Sequence, residues 1–294
     1  MSFVHEITLV IVSYNSENLI SKNMEVIKNF PTVIIDNSKS KILPSIINKF
    51  DNIKLVVPNK NLGYGKANNL GVSYCKTPYI LILNPDVLID NKSIEQLYNT
   101  FLDNIKTVGM IGPSLYDSKM KRRTNGSISY TKKVQGKKIL NSHNNIPDGN
   151  MCCDFLVGCC LFMKRDFFTS LGGFDNKFFM YFEDNDLCDR IIKSGKIIME
   201  IPSIKIIHLQ NLSNQKNFFQ NIKMALIHKI SSYIYLKKNL SLKSFIFYIC
   251  LNFFDYFQRF IFNFLILRFK KSFKNLLRIF SIFLFLSNLY KFIY

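Results

Sequence analysis

Acidic residues are scarce in this sequence: 20 Asp and Glu stand against 39 Lys and Arg in 294 residues, a formal net charge of +19. The imbalance predicts attraction to an anionic partner, which could be a nucleic acid, an acidic lipid or a phosphorylated substrate. Charge alone does not choose among the three. Tryptophan is absent and there are 28 Phe residues, a usage that an AT-rich coding sequence would produce and from which no function follows.

Long uncharged hydrophobic runs are also lacking. The best candidate lies near the C-terminus, where Asp255, Arg259, Arg268 and Lys270 interrupt the roughly 18 apolar residues that a membrane span needs. A polytopic membrane protein is therefore disfavoured. The N-terminus shows no basic segment followed by a long apolar run and a cleavage site, because strand-like sequence begins at Ile7, so no signal peptide is expected.

The seven cysteines include no C-x-x-C pair. In the adjacent pairs Cys152-Cys153 and Cys159-Cys160, the side chains of an extended segment would point apart, which suits packing better than a shared metal. A zinc site is therefore disfavoured. Buried reduced thiols are expected instead, and they indicate a reducing compartment such as the cytoplasm.

Buried-strand patterns recur through the N-terminal third of the chain. Ile7 to Val12 is a continuous apolar run rich in β-branched residues, typical of a strand buried on both faces. Thr32 to Ile35, Ile53 to Val57 and Tyr79 to Leu83 each run into a polar tip, and a helical pattern lies between Glu17 and Asn29. The alternation predicts an α/β fold with a mostly parallel sheet flanked by helices. The polar tips would then meet at the carboxyl edge, where such sheets bind ligands.

A glycine-containing loop follows the third predicted strand. Gly63 and Gly65 would let the backbone approach a ligand closely, and the helix after Gly65 would offer its first amides to phosphate or base. A dinucleotide-binding loop should instead follow the first strand and read G-x-G-x-x-G, whereas Asn68 stands three residues beyond Gly65. A hydride-transfer enzyme is therefore disfavoured, and an ordinary turn remains the alternative for this loop.

Four carboxylates crowd into Glu183 to Asp189, directly after the aromatic run Phe178 to Phe182. A helix that begins near Glu183 would place Asp186 and Arg190 on the same side as Glu183. Acidic residues also suit the positive end of a helix dipole. The stretch is either an acid-started helix with a salt bridge or a group of residues that carries out chemistry.

Two further segments differ in composition from the rest of the chain. Residues 117–150 are rich in Lys, Arg, Asn, Ser and Gly, which predicts a mobile insertion, and its basic run Lys119 to Arg123 is either a solvated surface or a phosphate clamp. From residue 214 onward, 13 Lys or Arg and the single acid Asp255 are interleaved with Phe, Ile and Leu. We expect these helices to lie on an anionic membrane surface; a helical cap packed on the sheet is the alternative. The predicted domains are therefore 1–213 and 214–294.

The predicted strand ends bring together groups with complementary chemistry. Amides and acceptors suited to a base and ribose come from Ser13, Tyr14, Asn15, Asp36, Asn37, Gly63 and Gly65. Asn84 and Asp86 follow another strand, where a divalent cation could bridge a carboxylate to two phosphates and neutralise a leaving diphosphate. The acidic helix start would supply a general base for an attacking hydroxyl. The set predicts group transfer from a nucleotide diphosphate to an alcohol.

Short motifs carrying these groups follow one another in order between residues 7 and 208. They are Val10 to Asn15, Ile35 to Ser38, Asn61 to Gly65 with Asn68 and Asn69, Leu83 to Asp86, Gly172 to Asp175, Tyr181 to Cys188, and His208. Each motif is weak alone, but the ordered set is specific. It resembles glycosyltransferase family 2, with the GT-A fold, and within it the rhamnosyltransferase-like enzymes that build bacterial surface polysaccharides.

The resemblance implies a role for each residue at a matching position. Asp36 would read the base and Asn68 would lie along the nucleotide. Asp184 occupies the catalytic base position, with Glu183 and Asp186 as supporting acids. Direct attack by an acceptor hydroxyl that Asp184 deprotonates would invert the anomeric centre.

The resemblance also implies a divalent cation, Mg²⁺ or Mn²⁺. Asp86 stands at the last position of the family's D-x-D metal motif and His208 at the later metal-ligand position. Asn84 replaces the first acid of D-x-D, which puts metal affinity in question. A satisfied core histidine remains the alternative for His208.

The expected function is inverting, metal-dependent transfer of a sugar, most closely rhamnose, to a glycan or lipid-linked saccharide in O-antigen or capsule synthesis. The expected partners are the nucleotide diphosphate sugar, that acceptor and an anionic membrane surface, with the protein peripheral on the inner face of the cytoplasmic membrane. Galactose, glucose and N-acetylhexosamine donors are alternatives. A nucleic-acid-binding protein would rest on charge alone. A nucleotidyltransferase would need a glycine-rich, basic loop after the first strand, which is missing.

Overall fold

The computed structural model describes residues 2–123, 125–136, 149–209 and 218–292. It divides into two compact units. The first holds the residues up to Asn176 and continues from Glu183 through the last strand; the second holds Lys177–Phe182 and the C-terminal helices. The predicted boundary between residues 213 and 214 lies outside the described residues. An aromatic segment from the middle of the chain thus groups with the C-terminal helices.

The N-terminal half of the sheet is parallel. Its strands are β1 (Ile7–Ser13), β2 (Thr32–Asp36), β3 (Ile53–Val56) and β4 (Tyr79–Leu83), in the order β3-β2-β1-β4. On β1, Leu9 and Ile11 pack into one core layer and Val10 into the other, so the strand is buried on both faces. Because parallel strands end at the same edge, the polar residues that follow them are brought together.

The other half of the sheet is mixed. Its strands are β5 (Val87–Leu88), β6 (Val108–Tyr116), β7 (Arg122–Arg123), β8 (Met151–Cys153), β9 (Cys160–Lys164) and β10 (Ile197–His208). β9 lies between β4 and β6 and runs antiparallel to both, whereas β10 is parallel to β6 and antiparallel to β5 and β8. The α/β prediction is confirmed, with a sheet that is mixed rather than mostly parallel, because a buried apolar strand has the same pattern in either direction.

Helices pack on both faces of this sheet. They are α1 (Glu17–Lys22), α2 (Met24–Ile27), α3 (Leu43–Ile47), α4 (Tyr64–Ser73), α5 (Asn91–Asp103), α6 (Tyr130–Val134), α7 (Arg165–Ser170) and α8 (Glu183–Lys193). The single helix predicted between Glu17 and Asn29 is divided at Asn23. The buried Asn23 Nδ2 donates to the carbonyls of Pro85 (3.1 Å) and Val87 (2.8 Å), so the interruption fixes the loop after β4.

The predicted insertion 117–150 is anchored where it is described; its residues 124 and 137–148 lie outside the described residues. Glu200 of β10 is 1% exposed, and it accepts hydrogen bonds from Arg122 (2.8 Å) and from the amide of Gly126 (2.8 Å). Arg123 pairs with Asp117 at 2.9 Å. Two cations of the basic run therefore have carboxylate partners within the protein, which favours a structural role for them over a phosphate clamp.

The second unit contains α9 (Phe218–Asn239), α10 (Leu242–Leu265) and α11 (Phe269–Leu286). Rings of Tyr233, Phe245 and Phe285 meet in its interior, with centroids 5.6 and 5.8 Å apart. Many other apolar side chains face outward, and Phe247 is 65% exposed. Within the described ranges, α10 is the one helix long and apolar enough to cross a membrane, which is weak support for a span.

Candidate active site

The carboxyl ends of β1 and β2 form one side of the candidate site. Ser13 and Asp36 are register partners, and both are fully buried. The Asp36 carboxylate accepts hydrogen bonds from the Ser38 amide (2.9 Å), the Ser38 hydroxyl (2.6 Å) and the Ser40 amide (2.5 Å), so it holds the turn after β2. The Ser13 hydroxyl has no hydrogen-bond partner among the described residues. This edge therefore presents a buried polar group that a ligand could satisfy.

Asn37 joins this edge to the glycine loop. Its Nδ2 donates to the Gly63 carbonyl (3.0 Å), and its Oδ1 accepts from the amide just before Gly63 (3.1 Å). Gly63 has φ of 77°, a backbone conformation that favours glycine, and it precedes the first turn of α4. On the neighbouring loop, the Asn15 amide donates to the Ser38 hydroxyl (3.0 Å), and Tyr14 is 52% exposed. The predicted nucleotide-binding residues of three loops are thus linked by hydrogen bonds.

Gly65 is explained by packing. A Cβ atom added to it would lie 2.9 Å from the Cβ of Phe174, so the missing side chain lets α4 approach the Phe174 turn. Asn69 reinforces this approach, because its side chain both accepts from the Phe174 amide and donates to the Phe174 carbonyl, each at 2.8 Å. The predicted contact of Gly65 with a nucleotide stays a prediction.

Asn68 precedes Asn69 but differs from it in its hydrogen bonds. It is fully buried, and its Nδ2 donates to the Tyr64 carbonyl at 3.1 Å. In the described part of the chain its Oδ1 has no hydrogen-bond partner. A buried amide oxygen left in this state marks a place for a donor from outside the chain.

The loop after β4 brings Asp86 beside His208; their role as metal ligands stays a prediction. The His208 Nε2 lies 3.3 Å from the Asp86 Oδ1, and β10 pairs His208 with Val87. The His208 Nδ1 and the Asn84 Oδ1 are buried without a hydrogen-bond partner in the described ranges. No cluster of three or more His, Cys, Asp or Glu residues that could hold a metal occurs in that part of the chain. The loop after β4 and His208 therefore offer few side chains that could bind a metal ion.

Asp184 lies in the first turn of α8. Its Oδ2 accepts from the Gly158 amide (3.1 Å), and its Oδ1 accepts from the amide (2.8 Å) and side chain (3.1 Å) of Asn185. Burial raises the pKa of the Asp184 carboxyl, and these hydrogen bonds oppose the rise because they favour the charged form. The carboxylate is thus fixed in orientation and made a stronger proton acceptor than an ordinary aspartate.

Tyr64 and Gly158 form the wall beside Asp184. The Tyr64 hydroxyl donates to the Gly158 carbonyl, while the Gly158 amide donates to Asp184. Burial raises the pKa of Tyr64 well above its ordinary value, and negative charge on neighbours that include Glu183 and Asp184 adds to the rise. The phenol therefore stays neutral and can act only as this fixed donor at neutral pH. A Cβ atom at Gly158 would lie 3.3 Å from the Asp184 Oδ2, so glycine permits the close approach.

The other acids of the stretch are buried, Glu183 at 4% and Asp186 at 2% exposure. The Asp186 carboxylate accepts from the Arg190 Nε at 2.8 Å. Arg190 also donates to the carbonyls of Leu171 and Gly173, both at 2.7 Å. Through Arg190, Asp186 therefore ties α8 to the turn at Leu171 and Gly173; its supporting role in catalysis stays a prediction.

Sequence reasoning did not identify three positioning residues: Asn23, Asn69 and Gly158. Asn69 and Phe174 are 105 residues apart in sequence, and Gly158 and Asp184 are 26 apart. Only a conserved pattern across relatives or a structure could connect residues so distant. Asn69 occurs in one of the motifs, but its type alone does not reveal its partner.

Comparison with known proteins places this geometry in a family. The model of glycosyl transferase family 2 matches residues 8–169, and that of the N-terminal domain of galactosyltransferase matches residues 148–213. The chain is 25% identical over 236 residues to the N-acetylglucosaminyl-diphospho-decaprenol L-rhamnosyltransferase of Mycobacterium tuberculosis, covering 69% of this chain and 73% of the relative. It is 24% identical over 255 residues to rhamnosyltransferase WbbL of Escherichia coli, covering 78% and 92%.

A solved structure shares the fold. The mannosyltransferase PcManGT from Pyrobaculum calidifontis, in complex with GDP-Man and Mn²⁺, superposes with a TM-score of 0.56 at 14% identity, over 80% of this chain and 65% of the mannosyltransferase. At this identity the likeness shows the fold alone, and it confirms the predicted GT-A type. Because the family model spans more than half of the residues, the chain belongs to glycosyl transferase family 2 and is a glycosyltransferase.

Proposed function

We propose that this glycosyltransferase moves a rhamnosyl residue from a nucleotide diphosphate sugar to a hydroxyl of a lipid-linked saccharide, with inversion of the anomeric centre. The observation that carries the chemistry is the Asp184 carboxylate, held by the Gly158 amide at the start of α8. The donor sugar and the lipid-linked acceptor are inferred from the names of the two relatives. The expected role is in synthesis of a bacterial surface polysaccharide such as O-antigen or capsule.

The nucleotide would bind at the carboxyl edge of the parallel strands. Asp36 would face the base, and the Ser13 hydroxyl and the Asn68 Oδ1 would take hydrogen bonds from it or from the ribose. Support for this placement comes from those two atoms, which are buried without partners among the described residues. Tyr14, Asn15, Asn37 and Gly63 would complete the wall of the nucleotide site.

A divalent cation, Mg²⁺ or Mn²⁺, fits the loop after β4. Asp86 supplies a carboxylate and His208 an imidazole nitrogen 3.3 Å from it, and Asn84 offers a carbonyl oxygen that has no partner among the described residues. Such donors suit these cations, which would take their remaining ligands from the diphosphate and water. When bound, the cation would neutralise charge on the leaving diphosphate.

The transfer would be a single displacement. The acceptor oxygen forms its bond to the anomeric carbon while Asp184 takes the hydroxyl proton, and the bond to the diphosphate oxygen breaks with its electron pair leaving on the diphosphate. Gly158 and Asn185 hold the carboxylate before the acceptor arrives, so little reorganisation is needed at the moment of reaction.

The decisive variant is Asp184→Asn. It keeps the size of the side chain and removes the base, so transfer is expected to fall by at least about 100-fold, within the range of general base catalysis. Nucleotide binding, measured by calorimetry, should change little, because in this proposal Asp184 does not contact the nucleobase. Substantial transfer by this variant would reject the assignment.

Galactose is the second candidate donor, because the galactosyltransferase model also matches residues 148–213. Wild-type protein would be given dTDP-rhamnose, UDP-galactose, UDP-glucose and UDP-N-acetylglucosamine, each with and without chelator. Turnover of dTDP-rhamnose alone, lost on chelation, would support both the donor and the cation. Preference for UDP-galactose would reassign the donor and leave the family unchanged.

We also propose that the second unit holds the enzyme on the inner face of the cytoplasmic membrane. Phe247, Phe254 and Phe262 of α10 are between 61 and 65% exposed, in a region rich in Lys and Arg. Surface binding is preferred to a span because Asp255 and Arg259, paired at 2.7 Å, lie within α10. Changing the three Phe to Ser should greatly reduce flotation with anionic liposomes; undiminished flotation would contradict the anchor.

A further inference from the structure

The second unit contains a small open cavity between α9 and α11. Its volume is about 160 Å³, several times the ~30 Å³ that one water occupies in the liquid. Most of its wall is apolar, including Leu226 and Leu277, but three cations line it: Lys229, Lys274 and Arg278. A cavity with an apolar wall and a cationic lining suits an anion that is attached to an apolar chain.

The buried side chain of Tyr256, from α10, contacts two of these cations. The Lys229 Nζ lies 3.1 Å from the Tyr256 hydroxyl, and the Arg278 guanidinium lies 5.2 Å from the ring centre. Arg278 also donates to the Asn275 side chain at 3.2 Å. Neutral partners such as these orient cations without cancelling their charge.

The cations have no carboxylate partner among the described residues. The one acid that the sequence has beyond residue 213, Asp255, pairs with Arg259 at 2.7 Å. Like charges gathered in one cavity repel each other, and an external anion would remove that cost. Arginine presents a planar fork that matches phosphate oxygens, and lysine adds a strongly hydrated point charge.

We propose that this cavity binds the phosphate or diphosphate group of a membrane lipid. The lipid is either a phospholipid of the bilayer or the lipid carrier of the acceptor saccharide, and the second source rests on the proposed function. Both present the same chemistry, an anionic phosphate on an apolar chain that emerges at a surface rich in exposed Phe and Leu.

The test uses the full chain and two charge-matched triple variants. The cavity variant carries Lys229→Gln, Lys274→Gln and Arg278→Gln. The control carries Lys243→Gln, Lys270→Gln and Lys271→Gln, which are exposed cations of the same unit outside the cavity. Each removes three positive charges, so general attraction to an anionic surface falls equally. Circular dichroism and the melting temperature check folding.

Binding would be measured on phosphatidylcholine vesicles doped with undecaprenyl diphosphate or, at equal surface charge, with phosphatidylglycerol. The cavity variant is expected to bind at least about tenfold more weakly than the control, because in the proposal only the cavity cations make direct charge-assisted hydrogen bonds to the lipid phosphate. A deficit confined to undecaprenyl diphosphate would identify the acceptor carrier, and one confined to phosphatidylglycerol would identify a bilayer phospholipid. A deficit on both vesicles would show that the cavity binds the phosphate of either lipid. Equal binding by the two variants on both vesicles would overturn the proposal.

If the triple variant does not fold, Lys274→Gln and Arg278→Lys carry the test. Lys274 is exposed, and Arg278→Lys keeps the charge while removing the planar fork. Each should bind undecaprenyl diphosphate or phosphatidylglycerol vesicles more weakly than Lys243→Gln, and wild-type affinity for both would refute the site. Donor hydrolysis by the wild-type protein is measured separately, so failure of the proposed function is distinguishable from failure of the lipid site.

Discussion

Replacing Gly158 with alanine probes how strongly the position of Asp184 matters. The new Cβ would lie 3.3 Å from both the Cβ and the Oδ2 of Asp184, so the carboxylate must shift by a few tenths of an ångström. That shift also lengthens the 3.1 Å hydrogen bond from the Gly158 amide. The perturbation therefore reaches the candidate base without removing it.

The size of the effect follows from the displacement. A 1 Å misplacement of reacting groups costs about 100-fold in rate, so a shift of a few tenths corresponds to roughly three- to tenfold. Stability should not fall for backbone reasons, because Gly158 is not among the glycines with positive φ. Alanine in such a position restricts the unfolded chain and favours folding slightly.

The assay is the turnover number for transfer at saturating donor and acceptor, with nucleotide affinity measured in parallel. Gly149→Ala is the matched control, because a Cβ atom there meets no atom of the described residues within 4 Å. We expect a three- to tenfold lower turnover number for Gly158→Ala, unchanged nucleotide affinity, and wild-type behaviour of the control. Full turnover by Gly158→Ala would show that the amide contact does not position the base.

Three other perturbations test separate parts of the site. Burial raises the pKa of Asp184, and a general base must be deprotonated to act, so the transfer rate should fall with decreasing pH at pH values above the ordinary range for aspartate. Asn185→Ala removes a hydrogen bond that favours the charged form, so it should move this acidic limb of the pH–rate profile to higher pH. Asp86→Asn and His208→Ala should each weaken Mn²⁺ binding in the presence of nucleotide, read by calorimetry, and unchanged affinity would reject them as ligands. Arg190→Met removes the Arg190 cation from the buried Asp186 carboxylate and should lower the free energy of unfolding by about 3 kcal/mol in urea titrations. The double variant Asp186→Asn/Arg190→Met should lose less, because the buried charge is gone and only the hydrogen bonds from Arg190 to Leu171 and Gly173 stay lost; an equal loss in both variants would show that the ion pair does not matter.

The parallel strands could be predicted from the sequence because their signal is local. β1, β2 and β4 are short runs of buried β-branched residues, and a polar tip follows each one. The start of α8 at Glu183 agrees with the acidic first turn that indicates it. In each case neighbouring residues carry the information, and tertiary structure does not override it.

The remaining features depend on contacts between distant residues. α1 and α2 are separate because Asn23 bonds to the loop around Asp86, which no helical pattern reveals. The sequence around Gly65 resembles a ligand-binding loop, but Gly65 packs against Phe174, more than 100 residues later in the chain. The antiparallel direction of β9 is equally invisible, because its buried pattern does not depend on direction.

The segment before Asp184 shows why the acidic stretch cannot be understood from its own residues. Tyr181 and Phe182 have φ of 70° and 67°, a left-handed conformation that costs roughly 1–2 kcal/mol for each such residue. Contacts within the second unit offset this strain: both rings pack against His228, with centroids 5.0 and 5.3 Å apart, and the Ser231 hydroxyl donates to the Met180 carbonyl. The chain passes from this strained pair directly into Glu183 and Asp184, so the residues that fix the backbone before the candidate base belong to the C-terminal helices.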